Sequence, residues 1–291
     1  NIVYDRKLFC KAEQTEILPE GRIYRFEIRS RYHKWFYHAY PLLKQIAFRI
    51  YGGLRKEGFI PDIIHSNVVF PSGVIGYYLG KRFRIPAVLS EHWSGFKSFC
   101  DHPLFGRISR RAVGYHSKIL PVSDYLAGII RNYKPEAGAV RVVPNIVDQN
   151  IYTLKPRRQA DNRLVFTAVA NWQARKVPAK RPDIIFGALK AFAESSQKKI
   201  VLNIVGEGST LSIYKEKIES YPFECVFHGY LDKERINKLL HTTDFFLHAS
   251  NFETFSVVTL EALMTGTPVI VSDLPALREL VTPECGILVK N

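Results

Sequence analysis

The chain has 291 residues, 46% hydrophobic and 23% charged, which is the composition of a soluble globular protein. This length favours two domains over a single core, and no apolar run is long enough to span a bilayer. The four cysteines have no paired spacing, which argues against a zinc site or a disulfide framework and fits a reducing cytoplasm. Because no signal-peptide pattern is visible either, we expect a cytoplasmic protein.

The net charge of +14 is shared unevenly along the chain. Residues 1–154 contain 23 Lys and Arg against 12 Asp and Glu, whereas residues 155–291 contain 18 against 15. A basic half beside a nearly neutral half indicates a polyanion, an anionic membrane or a phosphorylated acceptor as partner. A solvated basic surface without any partner explains the same charge equally well.

The first 60 residues give the weakest structural signal. Residues 22–40 interleave basic and aromatic side chains, as a membrane-interface segment does. No helical periodicity covers the whole segment, which favours a strand (IYRFEI) followed by a helix whose aromatic side chains pack inward.

From Pro61 onward, short apolar strands alternate with helices. The predicted order is strand PDIIHSN, helix SGVIGYYLGKRF, strand PAVLSEH, helix FGRISRRAVGYHS, strand KILPVS, helix DYLAGIIRNY and strand AVRVVPN. Residues 145–162 contain a proline, two adjacent arginines and few apolar residues, which indicates a linker. Such alternation predicts a parallel sheet covered on both faces.

A second alternation follows the linker. Its predicted order is RLVFTAVAN, RPDIIFGALKAFAESS, KIVLNIVG, STLSIYKEKIES, ECVFHGY, DKERINKLLHTT with Asp232 as its cap, and DFFLHAS; LPALRELV and CGILVK close the chain. We therefore expect an α/β protein of two doubly wound, Rossmann-like domains, with ligands at strand carboxyl ends in the cleft between them.

The stretch from Asn251 to Asp273 carries two carboxylates, Glu253 and Glu261, on either side of a helix start. Ser256 is the expected N-cap of a helix over Val257–Met264. Unpaired N–H groups and partial positive charge make a helix N-terminus a site for anions. An anion site beside two groups that only accept hydrogen bonds suits a ligand with phosphates and hydroxyls, such as a nucleotide sugar.

From about residue 61 to residue 291 the sequence resembles the GT-B-fold retaining glycosyltransferases of family 4, also called group 1. The segments that carry the resemblance are VGEGS, FECVFHGYLDKERINKLL, DFFLHAS, NFETFSVVTLEALMTGTPVIVSD and ECGILV, with looser matches at PDIIHSN, LSEHW, PVSDYL and VVPNIVD. The two glutamates form the E-x7-E element of the family, in which Thr254 and Ser256 replace the usual glycines. Alone, this spacing is weak evidence, but between DFFLHAS and ALMTGTPVIVSD it is strong.

The resemblance implies roles for residues of the second domain. Glu261 should accept hydrogen bonds from the ribose hydroxyls, and Glu253 should contact the transferred sugar, although either could be an ordinary surface charge. The backbone N–H groups of Phe255, Ser256 and Val257 should face sugar or phosphate. Further donor-binding positions implied by the resemblance are Gly206, Tyr230 and Leu231.

The resemblance also implies cations that balance the donor diphosphate. Lys180 matches the phosphate lysine, and Arg175 is the expected phosphate arginine, with Lys176 and Asn171 as the open alternatives. The other explanation of these charges is a solvated basic loop. His92 matches a histidine near the donor sugar and acceptor, where hydrogen bonding is the expected role; a capped loop histidine is the alternative.

Residues 1–150 are expected to form the acceptor-binding domain, without its first strand and glycine-rich loop. Residues 151–291 are expected to form the donor-binding domain, without its final helices. The sequence has no Asp-x-Asp triplet and no cluster with metal-ligand spacing, so neither metal nor cofactor is expected.

The resulting expectation is a glycosyltransferase that moves a sugar from a nucleotide diphosphate sugar to a glycan or lipid-linked acceptor, with retention. Polysaccharide or glycolipid synthesis at the cytoplasmic face of an anionic membrane is the expected setting. The alternatives are a GT-B phosphorylase or epimerase, a basic nucleic-acid-binding protein, and a nucleotide-sugar-binding protein without activity. No nucleic-acid motif supports the nucleic-acid-binding alternative, so no nucleic acid is expected as partner.

Overall fold

The structure is a computed structural model that describes residues 2–3, 9–18, 21–29, 40–154, 161–173 and 179–290. The chain divides into two compact units. Unit 1 comprises residues 1–121 and 127–142, and unit 2 comprises residues 122–126 and 143–291. The assignment of acceptor binding to one domain and donor binding to the other stays a prediction.

The first elements of the chain build two small sheets. In chain order they are β1 (Ile2–Val3), β2 (Phe9–Leu18), β3 (Gly21–Arg29), α1 (Tyr40–Lys56), β4 (Ile64–Asn67), α2 (Val74–Phe83), β5 (Ala87–Glu91), α3 (Phe96–Cys100), α4 (Gly106–Tyr115), β6 (Lys118–Pro121) and α5 (Asp124–Arg131). β2 and β3 pair antiparallel, with β1 added in parallel to β3. β4, β5 and β6 form a parallel sheet in that order. α2 packs against both α1 and α4.

Unit 2 contains a six-stranded parallel sheet. Its elements are β7 (Arg163–Val169), α6 (Pro182–Ser195), β8 (Lys199–Val205), α7 (Ser212–Glu216), β9 (Glu224–Gly229), α8 (Lys233–His241), β10 (Phe245–His248), α9 (Val257–Met264), β11 (Val269–Ser272), α10 (Pro275–Arg278) and β12 (Gly286–Val289). The strand order is β9-β8-β7-β10-β11-β12. In this doubly wound arrangement the chain adds strands outward from β7 on one side and from β10 on the other. Such folds bind ligands at the point between these two strands, where the strand order reverses. The predicted α/β class with parallel sheets is confirmed.

Apolar side chains from both faces of this sheet supply the core of unit 2. Trp172, directly after β7, is 2% exposed, and its indole N–H donates to the carbonyl oxygen of Val205 at 2.9 Å. A Cβ on Gly206 would lie 1.9 Å from the carbonyl oxygen of Ala170. Gly206 also has a φ of 101°, so glycine lets the loops after β7 and β8 approach each other closely.

An apolar cavity of about 420 Å³ lies between α6 and the sheet of unit 2. Side chains of β7, β10, β11 and β12 line it, among them Leu247, His248 and Ile270. Within the described residues, no helix combines the length and the hydropathy that crossing a bilayer requires.

Two predicted elements differ from the structure. The segment AVRVVPN is no strand: only Val140 bridges Ile119, and Pro144 lacks the N–H that a strand would need to donate. The helix expected over residues 209–220 breaks into α7 and two 3-10 turns. No residue of α7 is buried, so tertiary packing does not stabilise a longer helix.

Ser256 occupies the N-cap position of α9, as expected, but it makes no capping hydrogen bond. Its side chain caps no backbone N–H; instead its hydroxyl lies 2.8 Å from that of Thr259. The backbone of Ser256 is left-handed, with φ 76° and ψ 80°, which explains why glycine suits this position. Thr254, at the other expected glycine, has no positive φ.

Candidate functional site

The segment that carries Lys180 is held against the chain that leaves β10. Lys180 and Ser250 form an isolated antiparallel bridge. The N–H of Asn251 donates to the carbonyl of Ala179 at 2.9 Å, and the N–H of Arg181 donates to the carbonyl of Ala249 at 3.0 Å. These bonds carry Lys180 to the carboxyl end of a central strand.

Lys180, His248 and Glu253 form one cluster at this end of the sheet. The ammonium of Lys180 forms an ion pair with Oε1 of Glu253. Nε2 of His248, the last residue of β10, lies 2.8 Å from the same Oε1 and 3.3 Å from Nζ of Lys180. The structure therefore places the expected phosphate lysine beside the first glutamate of the E-x7-E element.

The cluster is largely shielded from water, so the electrostatic interactions between its charged groups are strong. Burial alone would raise the pKa of Glu253, but the hydrogen bond from His248 and the charge of Lys180 outweigh it and lower the pKa to about 2. Burial lowers the pKa of His248, with the hydrogen bond to Glu253 opposing and the charge of Lys180 reinforcing that shift. At neutral pH the cluster thus contains an ammonium, a carboxylate and a neutral imidazole.

His248 is the residue of this cluster that the sequence reading missed. Within DFFLHAS it follows three apolar residues and looks like part of a buried strand. Its position at the carboxyl end of a parallel strand was the available signal, because such ends face the ligand side of doubly wound sheets.

Glu261 lies on α9, one turn into the helix, and is 8% exposed. Burial raises the pKa of Glu261, while the nearby Tyr152 hydroxyl and the charge of Lys233 act in the opposite direction. Tyr152 is 2% exposed, and its hydroxyl has no hydrogen bond of normal geometry within the described residues. A buried carboxylate beside a buried hydroxyl is suited to binding ligand hydroxyls.

The other predicted donor-binding residues are spread over loops of unit 2. Phe255 is buried, whereas Val257, at the start of α9, is 37% exposed. Tyr230 is 80% exposed and Leu231 partly buried, both in the loop after β9. Gly206 follows β8. Their contacts with a donor stay predictions.

The phosphate arginine lies outside the described residues, because Arg175 and Lys176 fall within 174–178. Asn171 is exposed in the loop after β7. Arg181 is engaged elsewhere: its guanidinium binds Asp183 through two nitrogens and donates to Asn251 at 3.2 Å. Of the cations expected to bind phosphate, Lys180 is the one that lies within the described residues, and its contact with a phosphate stays a prediction.

In unit 1, His92 is exposed in the loop after β5, and the adjacent Glu91 is fully buried. Oε1 of Glu91 accepts from the N–H groups of His92 (3.1 Å) and Trp93 (2.9 Å), and Oε2 accepts from that of Val69 (2.7 Å). Burial raises the pKa of Glu91 to about 7, although these three donors oppose the shift. One carboxylate thus ties the loop after β4 to the loop that carries His92.

Within the described part of the chain, no three His, Cys, Asp or Glu side chains are grouped to hold a metal ion.

Comparison with known proteins matches nearly the whole chain to one enzyme family. Residues 6–151 match the model described as Glycosyltransferase Family 4, and residues 169–291 match that of Glycosyl transferases group 1. The alpha-monoglucosyldiacylglycerol synthase of Streptococcus pneumoniae is 22% identical over 280 residues, covering 87% of this chain and 63% of that protein. The GDP-mannose-dependent alpha-mannosyltransferase of Mycobacterium tuberculosis is 27% identical over 251 residues, covering 81% and 61%.

The chain thus spans less than two thirds of the length of these relatives. Among solved structures, the Anabaena protein HepE in complex with UDP superposes with a TM-score of 0.67 at 18% identity, covering 84% of this chain and 68% of HepE. Sucrose-phosphate synthase from Thermosynechococcus elongatus superposes with a TM-score of 0.68 at 19% identity, covering 99% and 75%. These likenesses show the GT-B fold, and with the two family models they establish that the chain belongs to glycosyltransferase family 4, the group 1 glycosyltransferases.

Proposed function

We propose that the protein transfers a sugar from a nucleotide diphosphate sugar to a glycan or lipid-linked acceptor, with retention at the anomeric carbon. The observation that carries the proposal is the buried pairing of Lys180 with Glu253 close in sequence to the start of α9. A lysine, a carboxylate and a helix N-terminus supply the groups that a sugar diphosphate needs.

Each group has a role in this proposal. Lys180 leaves Glu253 to bind the diphosphate and stabilises the charge that develops on it as the glycosidic bond breaks. Glu253 then accepts hydrogen bonds from the transferred sugar, and Glu261 accepts them from the ribose. Neither a metal nor a cofactor has a part in this scheme.

The names of relatives and neighbours support the class of donor and acceptor. HepE is described in complex with UDP and with UDP-glucose, and one mycobacterial relative is named for GDP-mannose. The streptococcal relative is named for a glycolipid product, and a Bacillus subtilis relative for teichuronic acid synthesis. We extend this chemistry to the present chain as bacterial-type glycolipid or surface polysaccharide synthesis.

Calorimetric titration tests the proposal directly. UDP-, GDP-, ADP- and dTDP-sugars are titrated into the protein, and one of them should bind at micromolar to millimolar concentration. NMR of the product should show the anomeric configuration of the donor retained. Absence of binding by all four would contradict the proposal, whereas binding without turnover on any glycan or lipid acceptor would favour a nucleotide-sugar-binding protein without activity.

We further propose that unit 1 contacts an anionic membrane at the cytoplasmic face. α1, α2 and α4 contain no Asp or Glu, yet together they carry nine Lys and Arg. The basic residues are Lys44, Arg49, Arg55, Lys56, Lys81, Arg82, Arg107, Arg110 and Arg111, and all nine are exposed. Helices that carry one sign of charge are suited to anionic headgroups.

A further inference from the structure

His248 occupies an unusual position for a buried histidine. Its side chain is 2% exposed, and its Nε2 atom is directed at Oε1 of Glu253 at 2.8 Å. Lys180 reaches the same oxygen atom. Two donors from separate segments therefore converge on one carboxylate oxygen.

The contacts decide which nitrogen of His248 carries the proton. Nζ of Lys180 can only donate, and Glu253 is ionised and can only accept. If Nε2 carried the lone pair, it would face the carboxylate oxygen at 2.8 Å without a hydrogen, which is repulsive. Nε2 therefore bears the hydrogen and donates to Glu253, while the 3.3 Å contact with Lys180 places two donors side by side.

The second oxygen of the carboxylate has a different environment. Both side-chain contacts of Glu253 involve Oε1, and Oε2 accepts no hydrogen bond from the described residues. When a diphosphate draws Lys180 away, His248 is the donor that remains on Oε1. Among the described residues, His248 is then the one that sets the orientation of Oε2.

We propose that His248 is a positioning residue that fixes the carboxylate of Glu253 so that Oε2 accepts a hydrogen bond from a hydroxyl of the donor sugar. This inference rests on the proposed function and adds to it a residue that recognises the sugar without touching it. The nucleotide portion of the donor is bound by other groups, so His248 acts on the sugar portion only.

A histidine that merely fills space would behave differently. The ring lines the apolar cavity beside Leu247 and Ile270, so an aliphatic side chain would also pack there. His248→Leu tests this alternative, because it keeps an apolar body and removes the donor. His248→Gln places an amide N–H near the position of Nε2, whereas His248→Asn places one near Nδ1 and cannot reach Glu253 in the same way.

The experiment compares affinities for a nucleoside diphosphate and for its sugar derivative. Wild type and the three variants are titrated with UDP and UDP-glucose, and with GDP and GDP-mannose, after thermal unfolding has shown that each variant is folded. We expect all four proteins to bind the bare diphosphate within about twofold of one another. The Leu and Asn variants should lose roughly three- to tenfold in affinity for the sugar nucleotide and in kcat, which corresponds to the loss of one hydrogen bond. The Gln variant should retain most of the wild-type affinity and kcat.

Equal losses for diphosphate and sugar nucleotide, or wild-type behaviour of the Leu variant, would overturn the positioning role while leaving the proposed function intact. Failure of wild type to bind any of the UDP-, GDP-, ADP- and dTDP-sugars would instead overturn the proposed function, and the inference with it. If the Leu variant does not fold, the Gln and Asn variants alone decide, since both are polar and only Gln reaches Glu253.

Discussion

Lys180 and Glu253 are 73 positions apart in the chain and form a largely buried ion pair. The pair exists because the chain before α6 runs antiparallel to the chain after β10 for a single bridge. The pairing therefore depends on backbone hydrogen bonds that substitution of either side chain leaves in place. Because the backbone hydrogen bonds do not depend on the two charged side chains, Lys180 and Glu253 can be substituted one at a time.

Lys180→Ala should fold and lose most turnover. Removing one fixed charge that stabilises a leaving group costs about 3 kcal/mol in the transition state, which is roughly a hundredfold in rate. Steady-state kinetics with the donor found by calorimetry measures the loss. Lys190→Ala, an exposed lysine on α6, is the matched control and should be as active as wild type. Turnover of the Lys180 variant near the control value would exclude the assigned role.

The ionisation of Glu253 should make the free energy of unfolding depend on pH in the acid range. Its folded pKa of about 2 lies below the ordinary value of 4.5, so the ionised form stabilises the folded state. This contribution is complete above about pH 4.5 and is lost as the pH falls towards 2. Urea unfolding between pH 2 and 6 should show a steeper loss for wild type than for Glu253→Gln. Parallel curves for the two proteins would contradict the lowered pKa.

Glu91 should show the opposite dependence. Because its folded pKa is raised to about 7 from 4.5, the folded state binds the proton more tightly, and this group makes the free energy of unfolding decrease as the pH rises from about 4.5 to 7. Glu91→Gln removes that slope.

The same substitution leaves one acceptor oxygen for contacts that now use two, so it should cost about 1–3 kcal/mol at pH 5 and less at pH 8, where burial already destabilises the ionised carboxylate of wild type. It should also lower kcat by disturbing the loop of His92. Glu194→Gln, at an exposed carboxylate on α6, is the control and should change neither property.

Because the backbone of Ser256 is left-handed, glycine should stabilise the protein more than alanine at this position, the reverse of their usual order in a helix. In a helix interior alanine is the more stabilising residue, but at φ 76° its Cβ is strained. Ser256→Gly and Ser256→Ala both lose the hydroxyl contact with Thr259, so their difference isolates the strain. Ser256→Gly should be more stable than Ser256→Ala by about 1 kcal/mol in urea unfolding. An alanine variant of equal or greater stability would show that the backbone is not left-handed there.

The basic helices of unit 1 should bind anionic vesicles. Sedimentation with phosphatidylglycerol vesicles at low salt should retain the protein, and phosphatidylcholine vesicles or high salt should release it. The combination Lys81→Glu, Arg107→Glu and Arg111→Glu should abolish retention. Lys190→Glu with Lys238→Glu, on unit 2, should not. Tighter binding to DNA or RNA than to vesicles would favour the nucleic-acid alternative instead.

The regular parts of unit 2 could be predicted from the sequence because apolar periodicity and the family motif agree there. α9 has the predicted bounds, Val257–Met264, and Asp232 caps α8 by accepting from the N–H of Arg235 at 2.8 Å. For His248 the sequence offered only its place at the end of a strand, because its contacts with Glu253 and with Lys180, which lies in a separate segment, depend on the fold. The backbone angle of Ser256 was equally hidden, because serine is typical of an N-cap and rare in the left-handed region.

The burial of Trp172 provides an optical probe of unit 2. The chain has three tryptophans, and Trp172 is the one in unit 2, enclosed and hydrogen-bonded to the carbonyl oxygen at the end of β8. With Trp35 and Trp93 replaced by phenylalanine, the remaining emission should be blue-shifted in the folded protein and shift to the red as this unit opens. Because Trp172 lies in the loop that leads to Lys180, the same signal should respond to ligands bound at that end of the sheet.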